Sequence, residues 1–387
     1  MTASPGRGGT EETADPLRIV IAGGGTGGHV YPGLAVAREF VARRPDASVS
    51  FAGTARGIEA RVVPREGFAL DLIRSRGLKG KSIVDRARGL LLIPVGIADA
   101  WRIVSKRRPQ LVIGVGGYSS GPVVLVAALR GVPTMLLEQN AVPGLTNRLL
   151  APLVRAAAVT FESTRAFFGS KAFVSGNPVR PEFLETVGPE RESVADAREL
   201  ITKVLVFGGS QGAHAINVAM VEAAAELAAG GSHLRLTHQT GERDVEMVGT
   251  AYREAGLSAE VEPFIYDMGQ RLGQADLIVC RAGATTLAEI TAAGKPAILI
   301  PLPSATDDHQ RKNAETLAAA GAGEVLLQKD LTGHVLAQRI LALASDHDGR
   351  ARMSAAARAM ARPDAARVIV DRALELVGGP AKAGRYD

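Results

Sequence analysis

The chain has 387 residues, 46% of them hydrophobic and 22% charged, a balance that builds a packed globular core and argues against a disordered chain. Its formal charge is +5 at pH 7, and a single cysteine, Cys280, rules out an internal disulfide framework and a cysteine-based zinc site. The length suits two domains of about 150 residues each, and no uninterrupted apolar run reaches the roughly 18 residues of a membrane span.

Residues 1–16 read as a polar tail with no apolar h-region, which argues against a secretory signal. The first predicted strand, LRIVIAG, runs into GGTGGHVYPG, so that five glycines occupy the six positions 23–28 ahead of His29. Such a run costs conformational entropy. It reads either as backbone N–H groups gathered around an anion where a helix begins, or as a tight strand-to-helix turn with no ligand. Gly23, Gly25 and Gly28 satisfy G-x-G-x-x-G, yet the second strand, SVSFAG, is followed by Thr54 and no carboxylate, which argues against a nicotinamide or flavin cofactor. GLKGKS fails as a phosphate loop, because Ser75 stands where that loop needs its first glycine.

From Arg74 to Arg108 the chain carries ten Lys/Arg against Asp85 and Asp99, a net +8, so the remainder is slightly acidic. Interleaved are Leu90, Leu91, Leu92, Ile93, Val95, Ile97 and Trp101. Basic and apolar residues on one segment suit an anionic membrane surface, or else a core helix with a solvated basic edge. No aromatic-rich motif accompanies the charge, so nucleic acid is not expected as a partner.

Predicted strands continue with LVIGVG, PTMLLE and AAAVTF. GNPVRPEF, residues 176–183, reads as a linker. A second set follows: KVLVFGG, LRLTHQT, AEVEPFI, ADLIVCR and PAILIPL. KVLVFGGSQGAHAINVAM repeats the layout of the first motif, with strand, glycine turn, histidine and helix. Short apolar runs alternating with helical segments give an α/β chain with two doubly wound, Rossmann-like domains facing a central cleft. A last helix is expected over ARMSAAARAMARPDAARVIVDRALELV. His29, His214 and His309 are scattered, and Asp307 and Asp308 read as solvated loop charges, so no metal is expected.

In order along the chain, GGGTGGHVYPGLAVA, GVGGYSSGP, EQNAVPGLTN, GNPVR, GGSQGA, EPFIYDM, CRAGATTLAEI and DDHQRKNA resemble the signature segments of MurG-type enzymes. These are the undecaprenyldiphospho-muramoylpentapeptide β-N-acetylglucosaminyltransferases of bacterial peptidoglycan synthesis. The likeness covers about residues 17–365. Leu137 departs from it where a histidine often precedes EQN, and Ala282 where a serine often follows the arginine of CRAGATT.

The resemblance implies the glycosyltransferase-B architecture. An acceptor and membrane-associating domain would span 17–178, a linker 179–202, a donor domain 203–365, and a helix end and tail 366–387. It implies inverting, metal-independent transfer of N-acetylglucosamine from UDP-N-acetylglucosamine to the 4-hydroxyl of the muramoyl sugar of lipid I. Lipid II and UDP would form at the anionic cytoplasmic face of the cell membrane, with no cofactor. For the donor it implies Thr26, Gly27, Gly28, Asn140, Arg180, Ser210, Ile265, Ala284, Thr285, Thr286, Leu287, Ala288, Glu289 and Gln310. For the acceptor it implies Gly27, Gly28, Tyr118 and Ser119. Glu289 resembles the ribose carboxylate, Ile265 the residue whose backbone reads uracil, Gln310 and Asn140 the sugar contacts and Ser210 a diphosphate partner, while Arg180 would pair with a phosphate or clamp the cleft. The base is His29 or Glu138, and the resemblance leaves that choice open. An imidazole titrating near neutrality suits the task. His214 is expected to pack near the diphosphate without titrating. A UDP-N-acetylglucosamine 2-epimerase-like enzyme and a non-catalytic nucleotide-sugar or lipid-binding module are the alternatives.

Overall fold

The computed structural model describes residues 16–75, 83–184, 201–209, 212–230 and 233–378, and for residues 83–91 the backbone alone. Ser210, residues 76–82 of the basic segment, and residues 185–200 of the expected linker lie outside the described residues.

Two parallel sheets carry the chain. The first is built from β1 (Arg18–Gly23), β2 (Ser48–Gly53), β3 (Ala69–Leu72), β4 (Leu111–Gly116), β5 (Thr134–Glu138), β6 (Ala156–Val159) and β7 (Ala172–Val174), in the order 3-2-1-4-5-6-7. The second contains β8 (Thr202–Phe207), β9 (Leu234–Gln239), β10 (Ala259–Glu262), β11 (Leu277–Cys280), β12 (Ala297–Leu299) and β13 (Glu324–Val325), in the order 10-9-8-11-12-13. Helices cover both faces of each. Around the first lie α1 (Gly27–Arg43), α2 (Glu59–Arg65), α3 (Ile83–Arg107), α4 (Ser120–Leu129), α5 (Leu145–Leu150) and α6 (Glu162–Phe168). The second sheet is joined by α7 (His214–Ala229), α8 (Val245–Ala255), α9 (Met268–Gln274), α10 (Ala284–Ala293), α11 (His309–Ala319), α12 (Gly333–Ser345) and α13 (His347–Met360). The chain closes with α14 (Ala365–Gly378).

Burial on both faces explains why the central strands read as unbroken apolar runs. In β1, Ile19 and Ile21 join a layer with Phe40 of α1 and Ile113 of β4. Val20 and Ala22 join the opposite layer, with Val104 of α3 and Val124 of α4. In β8, Val204 and Val206 pack with Met220 and Ile340, whereas Leu205 and Phe207 pack with Leu287 and Ile290. Cys280 is fully buried in this second core.

The single closing helix expected from sequence is instead two. Pro363 has no N–H to donate and disfavours helical geometry at Arg362 before it, so α13 ends at Met360 and α14 begins afresh. The new helix leaves the second domain and packs its Ile369, Val370, Ala373 and Leu376 into the core of the first. Burying each of the three larger side chains stabilises this docking by about 1.5–3 kcal/mol. Arg43 of α1 pairs with Asp371 across the contact.

Along α3 the basic character is partly neutralised within the fold. Arg74 and Arg102 both bind the buried carboxylate of Asp99, at 2.8 and 3.0 Å, and hydrogen bonding from Arg74 holds that carboxyl down at about 2. Ile93 and Trp101 remain exposed, with Arg130 lying over the indole at 4.7 Å. Among the described residues no helix is long and apolar enough to cross a membrane.

Candidate active site

In each sheet the strand order reverses beside its first strand, at β1/β4 and at β8/β11, the points where open α/β sheets bind ligands beyond their carboxyl ends. The two points face each other across one cavity of about 1060 Å³. Thr26, Gly28, His29, Gly116, Gly117 and Tyr118 line it from the first domain; Phe207 to Gly209 and Arg281 to Thr286, apart from Ala282, line it from the second.

Glycines of two turns, after β1 and after β4, make room for two side chains. A Cβ on Gly24 would lie 2.3 Å from the carboxylate of Glu59, which is 1% exposed. Glu59 accepts from the Gly25 N–H at 2.8 Å and from the N–H and hydroxyl of Thr54, each at 2.8 Å. At least one N–H of the turn therefore serves an internal carboxylate and is unavailable to a phosphate. The second tenant is His29. Gly116 has φ +95, and a Cβ there would stand 2.8 Å from the imidazole Cδ2, so the glycines of GVGG let the ring approach the β4 turn closely.

His29 Nδ1 lies 3.3 Å from the Gly24 carbonyl and 3.4 Å from Thr26 Oγ1. A carbonyl partner places the proton on Nδ1 and leaves the lone pair on Nε2. Burial draws the imidazole below its usual 6.5, helped by the charge of His309, so it is neutral at neutral pH. Glu138, the other candidate base, is differently placed. Its Oε1 accepts from the N–H and side-chain amide of Asn140 at 3.0 and 3.3 Å, and its Oε2 from Gly144 N–H and Asn147 Nδ2 at 2.9 Å each. Burial pushes its pKa up and those hydrogen bonds oppose the rise. This carboxylate shapes its own loop.

From the second domain, Thr285 Oγ1 donates to the Gly28 carbonyl at 3.3 Å and accepts from Asn177 Nδ2 of GNPVR at 3.4 Å. Asn313, fully buried on α11, accepts from Ala141 N–H at 2.8 Å and donates to Asn140 Oδ1 at 3.2 Å. Arg148 reaches Asp307 at 3.3 Å. These contacts join the domains around the cavity. Helices α1, α4 and α10 start at its edge and, like α2, α5 to α9 and α11, have no side-chain cap. First-turn N–H groups that a helix leaves over are a place for an anionic ligand.

The structure thus gathers Thr26, Gly28, His29, Tyr118, Glu138, Asn140, Ala284, Thr285, Thr286 and Gln310 on the cavity wall. Gly27, Ser119, Arg180, Ile265, Leu287, Ala288 and Glu289 lie outside that lining. Gln310 accepts from Leu302 N–H at 3.0 Å. The hydroxyl of Ser119 is buried without a partner among the described residues. Leu287 and Ile265 are core side chains, and the Ile265 N–H donates to Gln239 Oε1 at 3.0 Å, which leaves its carbonyl. Ala282 is fully buried, so a serine hydroxyl at that position would point into the core.

Arg180, expected on a phosphate, instead holds Glu289 at 3.2 Å and Glu182 at 2.9 Å, and lies over the rings of Tyr31 at 4.7 Å and Phe183 at 4.6 Å. Burial raises the Glu289 carboxyl to about 7 against the pull of Arg180. Sequence reasoning passed over Arg281. Its guanidinium donates to the carbonyls of Ile300 and Pro301 at 3.0 and 3.2 Å and to Gln328 Oε1 at 2.8 Å, all neutral acceptors. Burial lowers its pKa, and among the described residues no carboxylate pairs with it. An arginine inside a glycine-bounded turn, CRAGATT, was the available signal. Among the described residues no three His, Cys, Asp or Glu side chains group as metal ligands.

Comparison with known proteins adds to this geometry. The glycosyltransferase family 28 N-terminal domain matches residues 19–159, and the family 28 C-terminal domain residues 203–369. A UDP-N-acetylglucosamine--N-acetylmuramyl-(pentapeptide) pyrophosphoryl-undecaprenol N-acetylglucosamine transferase of Anaeromyxobacter sp. strain K is 48% identical over 362 residues, 93% of each chain. The protein of that name from Geobacter sulfurreducens is 49% identical, covering 92% of this chain and 97% of that one. The crystal structure of Acinetobacter baumannii MurG superposes with a TM-score of 0.76 at 32% identity, over 93% of this chain and all of that one. A UDP-N-acetylglucosamine 2-epimerase superposes at 0.68 with 13% identity, a likeness of fold alone.

Proposed function

The chain belongs to glycosyltransferase family 28, in its MurG group, a hexosyltransferase of glycosyltransferase-B fold; from that premise we propose how its residues carry the transfer. The donor is UDP-N-acetylglucosamine and the acceptor lipid I, the undecaprenyl-pyrophosphoryl muramoyl pentapeptide; the products are lipid II and UDP. The observation that carries the assignment of roles is the single cavity in which a neutral imidazole of one domain meets the uncapped start of α10 from the other.

His29 is the base. The muramoyl 4-hydroxyl oxygen attacks C1 of N-acetylglucosamine from the face opposite UDP. Its proton passes to His29 Nε2 as the bond from C1 to the phosphate oxygen breaks, and the configuration at C1 inverts. UDP leaves with added negative charge. The first-turn N–H groups of α10, with the hydroxyls of Thr285 and Thr286, offer fixed donors, and Arg281 offers a positive charge that no described carboxylate cancels. Ser210 keeps its phosphate role on resemblance alone.

Glu289, ionised with the help of Arg180, accepts from the ribose hydroxyls; the Ile265 carbonyl reads the uracil edge, with Leu287 and Ala288 lending only backbone. Gln310 and Asn140 address the transferred sugar. Gly27, Gly28, Tyr118 and Ser119 hold the acceptor. The exposed Trp101 with the surrounding cations suits peripheral attachment to the anionic cytoplasmic face of the membrane.

Labelled UDP-N-acetylglucosamine incubated with a short-chain lipid I analogue tests the reading. Label on the lipid with release of UDP is expected. N-acetylmannosamine among the products, or binding without turnover, would overturn it.

A further inference from the structure

On the first-domain side the cavity does not end at His29. It continues as an arm between α3, α4 and α5, lined by Leu92, Ile93 and Ile97, by Leu125, and by Leu149 and Leu153. Among the described residues no charged side chain lines this arm. Three of these side chains are unusually bare for their type: Ile93 is 41% exposed, Leu149 69% and Leu153 44%. A trough of exposed aliphatic groups opening from a reaction cavity marks a place for an apolar ligand.

Resting on the transferase reading above, we propose that this arm receives the first isoprene units of the acceptor's polyprenyl chain, drawing the head of the chain out of the bilayer and into the protein. The order of chemical groups supports the occupant. The acceptor runs from sugar to pyrophosphate to hydrocarbon. The cavity runs from the His29 imidazole, past the uncapped helix starts and backbone of Gly117 and Tyr118, to hydrocarbon side chains. The stem peptide, with its carboxylates, finds no cation to pair with among the described residues of the arm. The arm is also distinct from the outward face of α3 that carries Trp101, which does not line the cavity.

The test uses the full chain in solution free of membrane and detergent. Two soluble acceptors are compared, muramoyl-pentapeptide pyrophosphate esterified with a geranyl chain and the same compound esterified with methyl. In the unmodified protein, kcat/KM for the geranyl acceptor exceeds that for the methyl acceptor by roughly tenfold or more, a ratio equivalent to about 1.4 kcal/mol. In Leu149→Gln with Leu153→Gln the ratio falls towards one, and in Leu149→Met it is retained. The KM for UDP-N-acetylglucosamine reports that the variants are folded. A ratio near one in the unmodified protein, a ratio unchanged by the glutamines, or an equal loss with both acceptors would each overturn the inference. Transfer to neither acceptor would fail the transferase reading itself.

Discussion

After β1 the glycine turn closes around the carboxylate of Glu59 and presents His29 against a backbone carbonyl; after β8 the matching turn closes on the Thr240 carbonyl, 1.8 Å from where a Cβ on Gly212 would stand, and presents His214 to the carboxylate of Asp244 at 2.9 Å. The two motifs read almost alike as sequence. Their histidines nevertheless differ in what the second ring nitrogen meets. Burial keeps the His29 ring a neutral base against the opposing pull of its carbonyl partner. Asp244 is in turn bound by Asn217, which also reaches the buried His238 and, through it, Tyr252. His214 therefore belongs to a scaffold that braces the donor domain. A repeated motif is a repeated backbone solution, and its chemistry is decided by the neighbour that each copy acquires.

The sharpest way to break this comparison is to remove both histidines in turn. His29→Ala should lower kcat by about 10²–10⁴-fold while the KM for UDP-N-acetylglucosamine stays nearly constant, whereas His214→Ala should stay within roughly tenfold. Equal losses would mean the two turns do the same work. Next, Arg281→Gln should cost about 10²-fold in kcat, the scale for losing one preorganised donor to a developing anion; single-turnover kinetics separate this from weaker donor binding.

Glu59→Ala probes the first turn as architecture. It leaves the N–H groups of Gly25 and Thr54 without their acceptor and should destabilise the protein by about 3 kcal/mol in denaturant unfolding, with unchanged stability showing that the turn holds itself. The smallest effect is a pH shift. Glu289 must be ionised to accept from the ribose, so donor affinity should weaken as pH falls through about 7. Arg180 draws that pKa down, so Arg180→Gln should move the midpoint higher, costing a few-fold in affinity at pH 7.5 that is regained at higher pH. The acid limb of kcat/KM, set by His29, should lie separately below 6.5.

All ten strands expected from sequence are present, because a strand buried on both faces writes itself as an apolar run. The three not expected, β3, β7 and β13, are each at a sheet edge, pair on one side only and run for two to four residues, too short to leave a pattern. At the site, the glycine turn and His29 stand together in the sequence and could be read locally, whereas the α10 turn came through the resemblance alone. Glu59 was not, since its partner Gly25 is 34 positions away. Nor was the role of Arg281, because the neutrality of its acceptors among the described residues is a property of the folded neighbourhood. Arg180 was legible as a cation but not as the counter-charge of Glu289, a pairing across 109 positions.

Because α14 returns to the first core, the polypeptide passes between the lobes twice, once between β7 and β8 and once between α13 and α14. The two crossings meet where Gly176 lies against Arg362 and Ala365, so the lobes are tied at one seam by two lengths of chain. A gene cut at the domain border would yield a donor half trailing a greasy orphan helix, and an acceptor half with an uncovered groove beside Phe40.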